Sequence, residues 1–412
     1  MSRSLWVLVG ALVVFSGCLS ILGDIETSTS STSSSGSTSG SGAPQCSTPS
    51  DCPAGGECAT AQCSDGKCEL TPLEDGISCQ EGLGSCLAGT CVCAPGNACP
   101  GRCVDMTTDA SNCGACSHGC QGGTCVASLC QPVILATGQS MPQGIAVDAT
   151  NVYWTNFGNG TVMKVPIGGG PPVQLASGQN EPWGIAVDAT SVYWVASQNQ
   201  PIVPGTVMKV AIDGGTPMLL ATGQGSPVGI AVDATNVYWE NTNVNAVMKV
   251  PVGGGSPTQL ASNVGTGQGI AVGATNVYWT TLGGGGVEKV PIDGGSATFI
   301  ASDPDTPYAL AVDATSVYWT DTQDDTVSKA LIDGGPVISL VATANQPMAI
   351  AVDAMSAYWL NAGNGTVMKV PIGGGSPTQL AFGQGKVAAI ALDTTTIYWA
   401  SSDAGTIVKL AK

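Results

Sequence analysis

Residues 144–176 read GIAVDATNVYWTNFGNGTVMKVPIGGGPPVQLA, and close variants of this stretch recur along the rest of the chain. The most regular element is a Tyr-Trp pair, which occurs at 153/154, 193/194, 238/239, 278/279, 318/319, 358/359 and 398/399. Successive pairs are 40 residues apart, except for an interval of 45 between the second and third pairs. The chain from residue 132 onward is therefore an array of seven similar units.

Each unit contains four short runs with the composition of β-strands. In the first unit these runs are 144–148, 152–155, 161–167 and 172–176, and the segments between them are rich in Asn and Gly, which favour turns. A repeat of about 40 residues with four strands is typical of a β-propeller blade. The repeat predicts an all-β fold, a seven-bladed β-propeller over residues 132–412.

The two ends of the array predict how the ring closes. The last unit stops after its third run, whereas PVILAT at 132–137 matches the fourth-strand pattern PTQLA at 257–261. We therefore expect the N-terminal strand to complete the last blade. Closure of this kind removes open sheet edges, which otherwise invite aggregation.

One unit reads Tyr318-Trp319-Thr320-Asp321, and in the other units different residues follow the Tyr-Trp pair. On this motif, residues 132–412 resemble the YWTD propellers of the LDL-receptor family, within the wider group of NHL/YVTN-type repeats. Those propellers are typically six-bladed protein-binding modules and not enzymes. The resemblance implies the propeller architecture and an expectation of binding.

The N-terminal residues predict export and anchoring. Residues 1–17 carry Arg3, an apolar run from 5 to 15 and two small residues, which is the pattern of a secretory signal peptide. The sequence FSGC at 15–18 resembles a bacterial lipobox, which implies acylation of Cys18; an ordinary signal peptide with a chance cysteine is the alternative. Residues 18–45 predict a flexible tether, since 27–45 are almost wholly Ser, Thr and Gly. Because Leu19 follows the cysteine, resemblance to the lipoprotein sorting pattern implies the outer membrane or cell surface of a bacterium.

Sixteen of the seventeen cysteines lie between Cys46 and Cys130, and the other is Cys18. An even set of closely spaced cysteines in a secreted chain predicts disulfides. Zinc is the alternative, because Cys113 and Cys116 have CxxC spacing, but only one such pair occurs. Residues 46–131 are therefore predicted to be a disulfide stalk, and the run 103–116 resembles the Cys-rich stalk modules of bacterial surface lipoproteins.

The charge balance limits the partners. The formal net charge is −17, with 12 basic residues. Nucleic-acid phosphates and anionic lipid headgroups are bound through lysine and arginine. We therefore expect no nucleic acid, no membrane contact beyond the N-terminal lipid, and a neutral or cationic partner, which the variable residues below indicate to be a protein, peptide or glycan. A role of the acidic balance in solubility alone is the alternative.

The propeller region contains no His, Cys or Arg, which excludes His-based triads, cysteine nucleophiles and His-metal sites there. Virginiamycin-lyase-like propellers need histidine, and gluconolactonase-like propellers need an acidic metal cage that we cannot assemble. Six units carry an aspartate after the first run, which we interpret as a turn residue and not as a carboxylate ring. The lysine that recurs in the third run is interpreted as part of a solvated face.

These observations predict a protein that is not an enzyme and that holds no cofactor. A lyase or hydrolase that uses rim carboxylates is the alternative, and a structural envelope protein is a third possibility. The acidic loop with Asp321, Asp324 and Asp325 is a weak candidate for a Ca²⁺ site.

The candidate ligand site consists of positions that vary where the framework repeats. The residue before each first strand reads Gln143, Trp183, Val228, Gln268, Tyr308, Met348 and Ala388. Outside the Tyr-Trp pairs, Trp183 and Tyr308 are the only Trp and Tyr of the mature chain. These positions are expected on one rim of the propeller, together with the loops after the second and fourth strands. The loops after the second strands add Asn156, Asn199 and Asn241 to that rim. Aromatic side chains among amides are typical of a sugar or peptide site. The alternative is that these loops are simply polar and tolerate any residue. We predict a surface-displayed recognition module whose ligand contacts Gln143, Trp183, Gln268, Tyr308, Met348 and these asparagines.

Overall fold

The computed structural model describes residues 46–54, 56–100, 102–197, 204–262, 264–265, 267–282, 286–302 and 306–412. Cys18, the tether and Asn199 lie outside the described residues, so the predictions made for them stay predictions. The chain divides into two compact units. The first comprises the described residues up to Gly56 together with Thr60–Thr71, and the second comprises Glu57–Ala59 together with Pro72–Lys412. Within the described ranges, no helix has the length and apolar character needed to cross a membrane.

The first unit is a small cystine-linked hairpin. A 3-10 turn, Pro49–Asp51, begins where the Asp51 carboxylate accepts hydrogen bonds from the backbone amides of Ser47 and Thr48. The hairpin strands are β1 (Ala59–Ser64) and β2 (Lys67–Pro72). Two disulfides, Cys46–Cys63 and Cys52–Cys68, close this unit. A segment this poor in apolar side chains depends on covalent links for its shape.

The Cys-rich part of the second unit has short strand pairs and a 3-10 turn, Gln80–Gly82. Its strands are β3 (Ser78–Cys79), β4 (Gly84–Leu87), β5 (Thr90–Cys93), β6 (Ala98–Cys99), β7 (Arg102–Cys103), β8 (Cys125–Val126) and β9 (Leu129–Cys130). Its disulfides join Cys58–Cys86, Cys79–Cys91, Cys93–Cys103, Cys99–Cys116, Cys113–Cys125 and Cys120–Cys130. The disulfide prediction is confirmed, and the two cysteines of the CxxC pair have different partners.

Within the described part of residues 133–411 there are seven four-stranded antiparallel sheets. Strand β10 (Val133–Ala136) is the first strand of this region. Blade 1 consists of β11 (Pro142–Val147), β12 (Asn151–Asn156), β13 (Thr161–Pro166) and β14 (Val173–Ala176), and blade 2 consists of β15 (Pro182–Val187), β16 (Ser191–Ala196), β17 (Gly205–Ala211) and β18 (Met218–Gln224). Blade 3 consists of β19 (Pro227–Val232), β20 (Asn236–Asn241), β21 (Ala246–Pro251) and β22 (Thr258–Ser262), and blade 4 consists of β23 (Ile270–Val272), β24 (Asn276–Thr281), β25 (Gly286–Pro291) and β26 (Thr298–Ala301).

The remaining sheets follow the same order. Blade 5 consists of β27 (Pro307–Val312), β28 (Ser316–Asp321), β29 (Thr326–Leu331) and β30 (Ile338–Val341), and blade 6 consists of β31 (Pro347–Val352), β32 (Ser356–Asn361), β33 (Thr366–Pro371) and β34 (Thr378–Ala381). Blade 7 consists of β35 (Val387–Leu392), β36 (Thr396–Ser401), β37 (Thr406–Ala411) and the N-terminal strand β10. Each first strand packs against the first strand of the next blade, and β35 packs against β11. The sheets therefore form a closed ring, which is the predicted all-β propeller.

Closure occurs as predicted, through pairing of the first strand with the last. In β10, Val133 is opposite Lys409 and Ile134 is opposite Val408 of β37. Leu135 and Ala136 of β10 are buried in one cluster with Trp154 of blade 1 and residues of β36 and β37. The outer strand of blade 7 therefore comes from the opposite end of the array.

The Tyr-Trp pairs form the layers between blades. Because neighbouring residues of a strand point to opposite faces, Trp154 packs with blade 7 while Tyr153 packs with blade 2. Second strands are covered on both faces, so Val152, Tyr153 and Trp154 are all fully buried. The buried indole Nε1 of Trp154 donates to Gln139 Oε1 at 2.9 Å.

The recurring aspartates are turn residues, as predicted. Asp233 Oδ1 accepts hydrogen bonds from the amides of Thr235 and Asn236, and Oδ2 accepts the Tyr238 hydroxyl at 2.7 Å. Burial raises the pKa of the Asp233 carboxyl, but these hydrogen bonds outweigh it and hold the pKa below the ordinary 3.8. The same Asp–Tyr pairing occurs at Asp148, Asp188, Asp313, Asp353 and Asp393.

We expect Asp233→Ala to lower the free energy of unfolding at pH 7 by about 1–3 kcal/mol, because the buried Tyr238 hydroxyl loses its acceptor. The ionised carboxylate stabilises the folded state above its ordinary pKa of 3.8, and this contribution is lost as the pH falls through the lower folded pKa. Urea unfolding of both proteins between pH 2 and 7 should therefore show the difference shrinking in acid. Tyr238→Phe and Tyr278→Phe form the control pair, since blade 4 has Gly273 in place of the aspartate; equal losses from the two would contradict the assignment.

The recurring lysines were predicted to be a solvated face, and this prediction is wrong for six of the seven. The ammonium group of Lys209 donates to the carbonyl of Val252, in the turn after the third strand of the next blade, at 2.6 Å. Equivalent bonds join Lys164 to Ile212, Lys249 to Ile292, Lys289 to Ile332, Lys329 to Ile372 and Lys409 to Ile167. The reason is geometric: the third strand of one blade lies beside the next blade's turn, whose carbonyl needs a donor.

Candidate functional site: the central channel

The innermost strands carry an irregularity that sets the direction of their side chains. In blade 1, Pro142 is opposite Asn156 and Ile145 is opposite Trp154, so Gln143 and Gly144 together face one residue of β12. This is a β-bulge, which locally re-aims side chains. Blades 2, 3, 5, 6 and 7 also have a register shift near the start of the first strand. In blade 1 the first strand begins at Pro142, two residues before the run predicted from the sequence, because the bulge interrupts the period-two pattern.

The bulged residues of six blades, together with Gln268 and Gly269 of blade 4, line a central cavity of about 320 Å³. From blade 1 to blade 7 the half-buried lining side chains are Gln143, Trp183, Val228, Gln268, Tyr308, Met348 and Ala388, which we call the channel ring. These are the seven positions selected from the sequence. The structure therefore brings all the predicted ring residues together around one cavity. Lys386 and Ser402 of blade 7 also line it.

Trp183 is held from the side by an aromatic residue that sequence reasoning missed. Phe157, in the loop after β12, contacts Trp183 edge to face, with ring centroids 5.5 Å apart and an interplanar angle of 85°. The amide of Phe157 donates to the carbonyl of Met141, which fixes the loop beside β11. Such pairs contribute about 0.5–1.5 kcal/mol beyond burial. The sequence offered a signal for this residue, because phenylalanine is rare in the chain, with four in all, and Phe157 lies in a loop after a second strand.

Threonines behind the wall fix the backbone of both ring aromatics, and sequence reasoning missed these too. Thr155 Oγ1 accepts the amide of Gly144 at 2.9 Å and donates to the carbonyl of Trp183 at 2.5 Å. Thr280 Oγ1 likewise accepts from Gly269 and donates to the carbonyl of Tyr308 at 2.9 Å. Each hydroxyl therefore joins the channel-lining backbone of two neighbouring blades. The sequence signal for these threonines is their place directly after the Tyr-Trp pair.

The predicted rim asparagines do not belong to the channel ring. Asn156 and Asn241 are 2% and 3% exposed, and their side-chain amides donate to Gln139 Oε1 and Gln224 Oε1. They lie at the end of the second strand, where the side chain points into the blade. This differs from the expectation of solvent-exposed ligand contacts, and Asn199 lies outside the described residues.

The acidic loop of blade 5 is not assembled as a Ca²⁺ site. Asp321 is fully buried, and its carboxylate accepts hydrogen bonds from the backbone amides of Thr306, Gln323 and Asp324. Among the described residues, sets of three or more possible metal ligands within 4.8 Å of one another consist of cysteines alone. Asp321 instead closes its own loop, which corrects the candidate made of Asp321, Asp324 and Asp325.

The chemistry of the channel follows from its lining. It presents two aromatic rings, the amides of Gln143 and Gln268, the thioether of Met348 and the ammonium group of Lys386. Burial raises the pKa of Tyr308, so its hydroxyl stays protonated and is available as a donor. An aromatic face with nearby amide groups can hold a ligand that has both apolar and hydrogen-bonding surface.

No protein-family model and no curated protein sequence matches this chain. Among solved structures, streptogramin B lyase is similar with a TM-score of 0.58 at 13% identity, covering 68% of this chain and 96% of the lyase. A catalytically inactive virginiamycin B lyase from Staphylococcus aureus with quinupristin has a TM-score of 0.58 at 14% identity, covering 68% and 98%. The computationally designed Ika8 protein has a TM-score of 0.52 at 17% identity, covering 68% and 99%. With the ring of sheets, these likenesses show a β-propeller protein with a disulfide-rich N-terminal segment, while no family model supports the finer YWTD resemblance.

The comparisons correct one prediction. The sequence led us to expect a protein that is not an enzyme, whereas the structures it resembles include an enzyme, streptogramin B lyase. The expectation rested on residue types missing from the propeller region, but function depends on the particular site that a fold presents. A β-propeller of this shape can host catalysis.

Proposed function

We propose that this protein binds a ligand in the central channel, with Trp183 and Tyr308 as the principal contacts. The observation that carries the proposal is the coincidence of variation and geometry. Seven equivalent positions that vary within a repeated framework line one cavity. Trp183 and Tyr308, the only Trp and Tyr of residues 132–412 outside the Tyr-Trp pairs, are among them. A framework role does not require different residues at equivalent places, whereas recognition of an asymmetric ligand does.

The chemistry of the channel favours a peptide or glycan segment as the ligand. A cavity of about 320 Å³ is within the range of small-ligand sites. Sugar rings and peptide side chains offer flat apolar surface for Trp183 and Tyr308, and polar groups for the two glutamines. The ligand could also be a protein that presents such a segment.

The eight disulfides support a proposal for the compartment. Cystine-rich segments persist in oxidising environments outside the cytosol. We propose that the protein is exported and held by a lipid on Cys18 at the outer membrane or cell surface. The lipobox-like sequence supports this anchoring.

The experiment is a glycan and peptide array probed with the full chain, with product formation followed for each bound compound, since the fold is shared with an enzyme. For a compound that binds, Trp183→Ala and Tyr308→Ala should each weaken binding about thirtyfold, which is roughly 2 kcal/mol for a buried aromatic contact. Phe382→Ala is the matched control, because this aromatic side chain is 75% exposed and lies outside the channel lining. Unchanged affinity in both channel variants would exclude the channel as the site.

A further inference from the structure

Glu240 departs from the repeat at a position directly behind the channel wall. The residue after the Tyr-Trp pair is, in blades 1 to 7, Thr155, Val195, Glu240, Thr280, Thr320, Leu360 and Ala400. In blades 1 and 4 this position holds the threonine hydroxyl that joins the channel-lining backbone of two neighbouring blades. The register of blade 3 places Glu240 opposite its bulge, because Asn241 pairs with Pro227 and Trp239 pairs with Ile230.

The carboxyl group of Glu240 is enclosed by uncharged groups. The residue is 1% exposed, and neither carboxyl oxygen has a hydrogen-bond partner among the described residues. Val247 of β21 is the cross-strand partner of Glu240, and the two carboxyl oxygens of Glu240 lie beside Gly229 of β19 and Gly267 before β23. Burial raises the pKa of Glu240 well above the ordinary 4.5, and no charged group contributes to this shift. The folded protein therefore favours the neutral acid.

Two glycines of blades 3 and 4 make room for this carboxyl group. A Cβ atom on Gly229 would lie 3.3 Å from Glu240 Oε2 and 3.1 Å from the carbonyl oxygen of Gln268. A Cβ atom on Gly267 would lie 2.5 Å from Glu240 Oε1. Blades 1, 2, 3, 5 and 6 have proline at the position of Gly267, namely Pro142, Pro182, Pro227, Pro307 and Pro347. The glutamate and the glycine thus depart from the repeat together.

The channel wall is less regular beside this pair. Strand β23 covers only Ile270–Val272, whereas the other first strands have six residues. Gln268 and Gly269 therefore precede the strand, although both line the channel together with Gly229. The carboxyl group of Glu240 and the carbonyl of the ring residue Gln268 border the same small space.

We propose that Glu240 is a proton-binding residue that controls the position of Gln268 in the channel. A neutral carboxyl group has one donor and an acceptor, the same pair that the threonine hydroxyl uses in blades 1 and 4. An ionised carboxylate has acceptors only, and it would face the carbonyl oxygen of Gln268. Loss of the proton therefore displaces the wall of blade 4 and with it one amide of the ligand site. This extends the proposed function, because ligand binding through Gln268 becomes dependent on pH.

The first test compares the pH dependence of stability in the wild type, Glu240→Gln and Glu240→Thr. The unfolded chain releases the Glu240 proton near its ordinary pKa of 4.5, while the folded chain retains it. The unfolding constant of the wild type should therefore rise relative to both variants by about tenfold per pH unit above pH 4.5, until the folded pKa is reached. Glu240→Thr keeps the comparison valid if glutamine does not fit, since threonine occupies this place in three other blades. Parallel pH curves for the three proteins would overturn the proposal.

The second test is amide hydrogen exchange, which needs no ligand and so fails independently of the proposed function. After correction for the intrinsic effect of pH, the peptide 267–282 should lose protection as pH rises in the wild type but not in Glu240→Gln. Peptide 142–156 of blade 1, where Thr155 holds the equivalent place, should behave alike in both proteins. Equal protection of 267–282 in both proteins at all pH values would show that Glu240 does not control the wall.

Discussion

A chain that begins at Met141 is expected to be several kcal/mol less stable than one that begins at Gln131, and to associate. The shorter chain lacks β10, so blade 7 loses the strand that pairs with β37. It also loses the buried side chains of Leu135 and Ala136, which pack against Trp154 of blade 1. Removal of one buried leucine side chain alone costs about 2–5 kcal/mol. The exposed edge of β37 then presents unpaired amides and carbonyls, which invite pairing with another chain.

Denaturant unfolding and light scattering of the two chains measure this effect. Both chains lack the Cys-rich segment, so the difference between them belongs to the ten residues that contain β10. Truncation at the N-terminus should damage the blade formed by the last residues of the chain, and hydrogen exchange in β37 locates that damage. A shorter chain that stays monomeric, with the same unfolding midpoint, would contradict closure of the ring by β10.

Trp239→Ala should lower the free energy of unfolding by about 3–5 kcal/mol, as expected for truncation of a large buried side chain. The Trp239 side chain is fully buried between blades, and its Nε1 donates to Gln224 Oε1 at 3.0 Å. The variant leaves a cavity beside Tyr193, Val207 and Val250 and removes a partner from Gln224. Thermal and urea unfolding of the variant measure the loss.

Trp183→Ala is the matched comparison, because it removes the same side chain from the half-buried channel ring. We expect it to lower the free energy of unfolding much less than Trp239→Ala does, because its side chain is only half-buried and packs on Phe157, while it weakens ligand binding. The two tryptophans thus separate stability from recognition within one protein. A comparable loss of stability in both variants would show that Trp183 belongs to the framework, and the proposed site would lose its main contact.

The channel ring could be selected from the sequence because a repeat supplies its own comparison. Seven units share a framework, so a position that varies among them is visible without any relative. Burial could not be read in the same way. Asn156 was placed on the rim because it follows a strand, but its side chain turns inward to Gln139. Whether a residue at a strand end faces solvent depends on register and on the neighbouring blade, which lies 40 residues away in the chain.

The sequence by itself determined the blade repeat, the closing strand and the covalent character of the N-terminal segment, because each depends on a local or periodic pattern. The tertiary structure decided which side chains meet across blades. Lys209 reaches the carbonyl of Val252, and Thr155 joins the bulges that carry Gln143 and Trp183. The placement of Glu240 behind the channel wall also depends on packing between blades 3 and 4. Contacts of this kind arise from the closure and twist of the ring, and no periodicity along the chain encodes them.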